Sequence, residues 1–198
     1  MLFVSVGKDN LQIHTFREDS LEERGELRLI MVKIGDVVSY GTQGVCRVED
    51  FTERRFGGMT MEYVVLSPIY DENATIFVPV KNEKLMNGLH RLVSVEDIHG
   101  MMNVVSEEAE SWISDENARK GRYKEILDRN DRQEMLKMMR LLYLRRNCLQ
   151  GVGKKLHVCD ERFLKEAEKL ILDEFSLVLK MKRENILPYL FKKTEKAE

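Results

Sequence analysis

Ile34-Gly-Asp-Val-Val-Ser-Tyr-Gly-Thr-Gln-Gly-Val-Cys-Arg-Val-Glu-Asp-Phe51 is the stretch from which the fold can be read. A short apolar run, residues 37–40, leads into a turn bracketed by Gly41 and Gly44. Residues 45–51 then alternate with a period of two, as expected of a strand with one buried face. Residues 62–66 and 75–78 repeat the strand pattern on either side of the polar loop Asp71-Glu-Asn73. Gly57-Gly58 suits a hairpin turn that needs positive φ. Pro79 lacks an N–H for the ladder and should end the last strand. Four or five short strands between residues 34 and 79 predict a small SH3- or Tudor-like β barrel, a closed form that avoids long exposed edges.

Past these strands, residues 82–92 read as a connector, and the chain from residue 94 onward reads as helix. Ser94-Val-Glu-Asp97 looks like a helix start with carboxylates in its first turn. A second helix is expected over about 112–128, with Trp112, Ile113, Tyr123, Ile126 and Leu127 available for burial. Asp131-Arg-Gln-Glu134 resembles a capping box and should open a third helix carrying Met135, Met138, Met139, Leu142 and Tyr143. Gly151-Val-Gly153 breaks it. Asp160 is the expected cap of a fourth helix, and a last short one surrounds residues 186–191, with Pro188 limiting where it begins. Short loops between helices argue for a compact bundle. The fold class is therefore α+β: a barrel at 31–85, a helical domain at 86–191 and a tail at 192–198. Residues 1–30 have weak periodicity. They are expected to be either a poorly ordered extension or an artefact upstream of a start at Met31.

The net charge of −2 over 198 residues conceals a strong pattern. Residues 94–118 carry a net −7 and residues 119–155 a net +8. No apolar run approaches the roughly 18 residues of a membrane span, and no leader-like segment opens the chain. Three cysteines without a CxxC spacing fit reduced thiols, so a cytoplasmic protein is expected.

Chemistry is sparse. His14, His90, His99 and His157 are scattered without ligand spacing or a nucleophile motif. Gly151-Val-Gly-Lys-Lys155 resembles the end of a phosphate-binding loop but has Cys148 where the first Gly belongs and Lys155 in place of Ser/Thr. No enzyme, cofactor or metal is expected. The basic block says more. Twelve cations between Arg119 and Lys155 face only Glu125, Asp128, Asp131 and Glu134 within the block. Such a surplus can gather phosphate backbone by counterion release, without reading bases. Two readings stay open: a solvated surface with i,i+4 ion pairs, or non-specific contact with duplex DNA. Trp112, the sole tryptophan, reads first as a core anchor and second as an apolar wedge against a distorted base step.

Residues 34–45, with residues 62–66 and Phe77-Val-Pro79, resemble the RNA-polymerase-interacting domain of the CarD family, a module shared with transcription-repair coupling factors. Arg122-Tyr-Lys124, residues 140–145 and residues 161–170 look like the helical domain of stand-alone CarD proteins. The resemblance covers about 31–180. It implies a monomeric, non-enzymatic transcription regulator, associated with the nucleoid through polymerase. Its barrel would grip the polymerase β subunit, partly by strand-edge pairing. Its helices would contact promoter DNA at the upstream edge of the bubble and stabilise the open complex. The runner-up is an adaptor whose helical domain binds another protein.

Carried over residue by residue, Arg54 matches a polymerase-contacting arginine. Arg55 and Phe77 join that surface, Phe77 standing where some relatives carry a second arginine. For DNA the implied contacts are Arg119, Lys120, Arg122, Tyr123, Lys124, Arg145, Arg146, Lys154 and Lys155. Arg119 takes the position of a tryptophan wedge in many relatives, and Gly121 replaces one of their arginines. Glu161 stands where some relatives have lysine.

Overall fold

The computed structural model describes residues 32–56, 58–71, 73–107 and 111–192. Residues 1–30 and the tail from 193 lie outside the described residues, so the expectations made for them do as well. The described residues divide into two compact units, one of residues 32–38 with 46–91, the other of residues 39–45 with 92–192.

Five strands build one sheet: β1 (Val37–Tyr40), β2 (Gly44–Phe56), β3 (Met59–Pro68), β4 (Ile76–Pro79) and β5 (Leu89–Arg91). Their order across the sheet is β4-β3-β2-β1-β5, which leaves β4 and β5 as its edges. β3 runs antiparallel to both β2 and β4, with Val64 opposite Phe51 on one side and Val78 on the other. The expected α+β class holds, and the strand alternation explains the sheet's two faces. Val38, Cys46, Val48, Val64, Leu66, Val78 and Leu89 are buried and most of their sequence neighbours face outward, while Ser39 and Val45, on either side of the β1–β2 turn, are buried too. A bulge between Val48 and Asp50 bends the long β2. At the start of the sheet Gly35, at φ +90°, donates to the Val48 carbonyl, and the Val48 N–H returns a bond to Asp36. Gly44 adopts φ 82°, ψ −143°, a region open in practice to glycine alone.

The stretch expected as a connector is structured. It holds helix α1 (Glu83–Met86), capped by the Asn82 side chain, and then β5. Four and three residues are too few to produce a legible period.

The helical unit contains α2 (Val95–Glu107), α3 (Glu116–Arg129), α4 (Arg132–Gly151), α5 (Val158–Leu179) and α6 (Arg183–Lys192). Ser94 and Asp97 cap α2 reciprocally, each side chain accepting from the other's backbone N–H at 3.0 Å. Asp131 caps α4 by accepting from Glu134 N–H at 3.1 Å, as its sequence suggested. Ile98, Met135, Met138, Met139, Leu142, Phe163, Leu164, Ile171 and Phe175 form the central core.

Three helix expectations need correction. α3 begins at Glu116 rather than near Trp112, because Asp115 is its cap and accepts from Ala118 N–H. α5 is capped by His157 rather than Asp160, which lies inside the first turn and is spent on an arginine. Pro188 sits inside α6 rather than at its start. It removes one rung of a helix that Ile186 and Leu190 anchor by burial.

Candidate functional site

On the first unit, the outward face of the sheet carries Arg54 and Phe77, two of the three residues matched to a polymerase contact, while Arg55 alternates to the other face of β2. Arg54 on β2, Tyr63 on β3 and Phe77 on β4 share it. The Arg54 guanidinium lies 3.9 Å from the centre of the Phe77 ring, and Tyr63 meets that ring edge-on at 6.3 Å. Arg54 and Arg55 are exposed, and Phe77 is 36% exposed. The aromatic at position 77 therefore holds the one arginine flat against the sheet. A stack of this kind contributes about 0.5–1 kcal/mol at an exposed site and fixes the direction of the charge.

On the second unit, the basic block separates into buried, paired and exposed members. Arg119 is 5% exposed. It donates to both Asp160 oxygens, from Nε at 2.9 Å and from a terminal nitrogen at 3.0 Å, and to the Ile113 carbonyl at 2.8 Å. Asp160 is itself 1% exposed, so this fork joins the first turns of α3 and α5. Tyr123 is buried against Phe163, ring centres 5.8 Å apart. Neither Arg119 nor Tyr123 presents its side chain to solvent, so neither offers a phosphate the contact expected of it. Charge and resemblance pointed to exposed side chains, and burial follows from an acid 41 residues away.

Arg132 is held similarly, on Glu174 at 2.9 Å. Among the half-exposed members, Lys120 pairs with Glu116, Arg122 with Glu125 and Glu134, and Arg146 with Glu161 and Glu168. Arg140 donates to the Val105 carbonyl. The surplus visible in sequence is thus largely met by acids from outside the block: Glu116, Asp160, Glu161, Glu168 and Glu174. Lys124, Arg145, Lys154 and Lys155 remain exposed, with no ion pair among the described residues.

Trp112 is half-buried against the helical core, with the Arg119 and Arg145 guanidinium carbons 4.5 and 4.9 Å from its ring centre. This fits the core-anchor reading, and it ties exposed Arg145 to a rigid support that sequence did not reveal.

Residues 32–93 match the family model described as the CarD-like/TRCF RID domain. The match covers all five strands and α1 and ends before α2. No curated protein matches the chain.

Proposed function

Starting from a chain that carries a CarD-like/TRCF RID domain, we propose that this protein is a transcription regulator that docks on RNA polymerase through the Arg54–Phe77 face. The observation that carries the reading is the domain match at 32–93, whose outward face holds Arg54 exposed and stacked. The partner is the polymerase β subunit, and one sheet edge, β4 or β5, pairs with a strand of it. The helical unit touches promoter DNA with the exposed cations Lys124, Arg145, Lys154 and Lys155, with Lys120, Arg122 and Arg146 able to exchange a carboxylate for a phosphate. Because those contacts are to backbone, they position the protein without reading sequence. A factor that binds the melted promoter complex better than the closed one shifts the population toward it.

Co-purification with polymerase tests the first half. The wild-type chain should retain the β subunit and Arg54→Glu should lose it, whereas retained binding would move the contact elsewhere. A promoter-complex lifetime, measured with and without the protein, tests the second half.

The adaptor reading is favoured by a specific observation, the neutralisation of most of the basic block by acids of the same unit. Binding to fork-junction DNA separates the two. Affinity that falls with salt supports the DNA contact, and no measurable binding at low salt leaves the adaptor.

A further inference from the structure

Glu116, His157 and Cys159 belong to neither surface above. Each offers one donor atom, and these atoms lie within 4.8 Å of one another. Glu116 is the first residue of α3, His157 the cap of α5 and Cys159 its second residue. The spacing of these two helix starts is held by the buried Arg119–Asp160 pair, whose members stand three residues after Glu116 and one after Cys159. The donors are therefore pre-positioned on rigid elements, although Glu116 and His157 keep side chains 45% and 51% exposed.

A cation already sits there. The Lys120 ammonium lies 2.5 Å from Glu116 Oε1. We propose that Glu116, His157 and Cys159 form a three-donor site for a zinc-class transition metal ion, which enters by displacing the Lys120 ammonium. One carboxylate oxygen, one imidazole nitrogen and one thiolate sulfur form a mixed set suited to Zn2+ and unsuited to Mg2+ or Ca2+, which take oxygen ligands. A water molecule completes the tetrahedron.

The proton changes are defined. Cys159 releases its S–H proton to solvent on binding, and the backbone N–H groups of the α5 N-terminus stabilise the resulting thiolate. His157 Nε2, 3.8 Å from Glu116 Oε1, is the nitrogen that faces the cluster. Coordination there places the ring proton on Nδ1, which gives up the 3.4 Å bond that Nδ1 accepts from Cys159 N–H. That bond is long, and the i,i+4 pair between Lys120 and Glu116 is a weak competitor in solvent.

The test uses the full-length chain carrying Cys148→Ser, since Cys148 is an exposed thiol outside the site. Metal-free protein is titrated with Co2+ while the thiolate-to-cobalt charge-transfer band in the near ultraviolet is followed, and Zn2+ is then used to displace it. The band should appear at one equivalent and vanish in Cys159→Ser. His157→Gln and Glu116→Gln should each weaken binding by at least the roughly 10–100-fold that loss of an outer partner costs. Lys120→Met should tighten it. Metal-free melting of each variant separates ligand loss from misfolding: a variant that melts like the parent yet fails to bind supports the site. A band absent from the parent, or surviving Cys159→Ser, overturns it. So does affinity indifferent to both His157→Gln and Glu116→Gln. Unchanged affinity in Lys120→Met overturns the displacement.

Discussion

Arg119 carries a charge that sequence places in a basic surface and that the fold spends internally. Replacing it by alanine leaves Asp160, 1% exposed, without a counter-charge. Breaking a buried pair from one side costs about 3–5 kcal/mol, and urea denaturation of Arg119→Ala should read a loss of that order. Removing Asp160 as well should recover part of it. Asp173 is the opposite case. It too is 1% exposed, with Arg183 at 2.9 Å, and burial pushes its carboxyl above the ordinary range while Arg183 and Lys169 pull the other way. The folded state therefore holds this proton to higher pH than the unfolded chain, and stability is lost from about pH 4 upward, through the raised folded value. In a pH series, the stability difference between Asp173→Asn and wild type should move in favour of the variant across that window and level off above it. Neither residue's environment was legible locally, because each depends on which helix packs against it.

At the scale of elements, periodicity was a sound guide wherever the element was long. β2, β3, α4 and α5 were all foreseen from alternation, apolar spacing or caps, although β2 and β3 extend beyond the runs that revealed them. α1 and β5 were missed because their few residues complete no pattern. The α5 cap was misread because an aspartate ahead of an apolar run usually caps, and here the histidine three residues earlier does so. Gly44 was legible as a turn residue but not for its reason. Its φ of 82° and ψ of −143° begin β2 in a conformation that costs other residues about 1–3 kcal/mol. Gly44→Ala should lower stability by that amount in thermal or urea unfolding, although the substitution adds a single methyl.

Taken as a whole molecule, the chain distributes charge very differently from its sequence. Twelve cations neutralising twelve phosphates of duplex DNA would give a salt slope of about −11, whereas the four exposed, unpaired ones allow about −4. The slope of log K against log salt on duplex promoter DNA should therefore fall between about −4, for these four alone, and about −6, when Lys120, Arg122 and Arg146 also exchange their carboxylates for phosphates. Changing Lys124, Arg145, Lys154 and Lys155 together to glutamine should flatten it. A slope near that of all twelve would mean that the internal pairs open on binding. The polymerase-facing half of the proposed function was legible through resemblance, since Arg54 lies within a pattern with local sequence character. The DNA-facing half rested on a sum of charges and on contacts carried over by resemblance, and neither reveals which cations are paired, because pairing is decided by tertiary neighbours that lie outside the block.

The two buried forks of α5 also bear on the order in which the helical unit assembles. Arg119–Asp160 and Arg132–Glu174 close over 41 and 42 residues of chain, and both acids lie on α5. Contacts of such separation form late, after the helices have gained their local structure and the long helix has docked. Interactions absent from the transition state act on the unfolding limb. In stopped-flow measurements, Arg119→Ala and Glu174→Gln should raise the unfolding rate while leaving refolding nearly unchanged. The forks would then act as latches, governing how long the bundle persists once formed rather than how fast it forms.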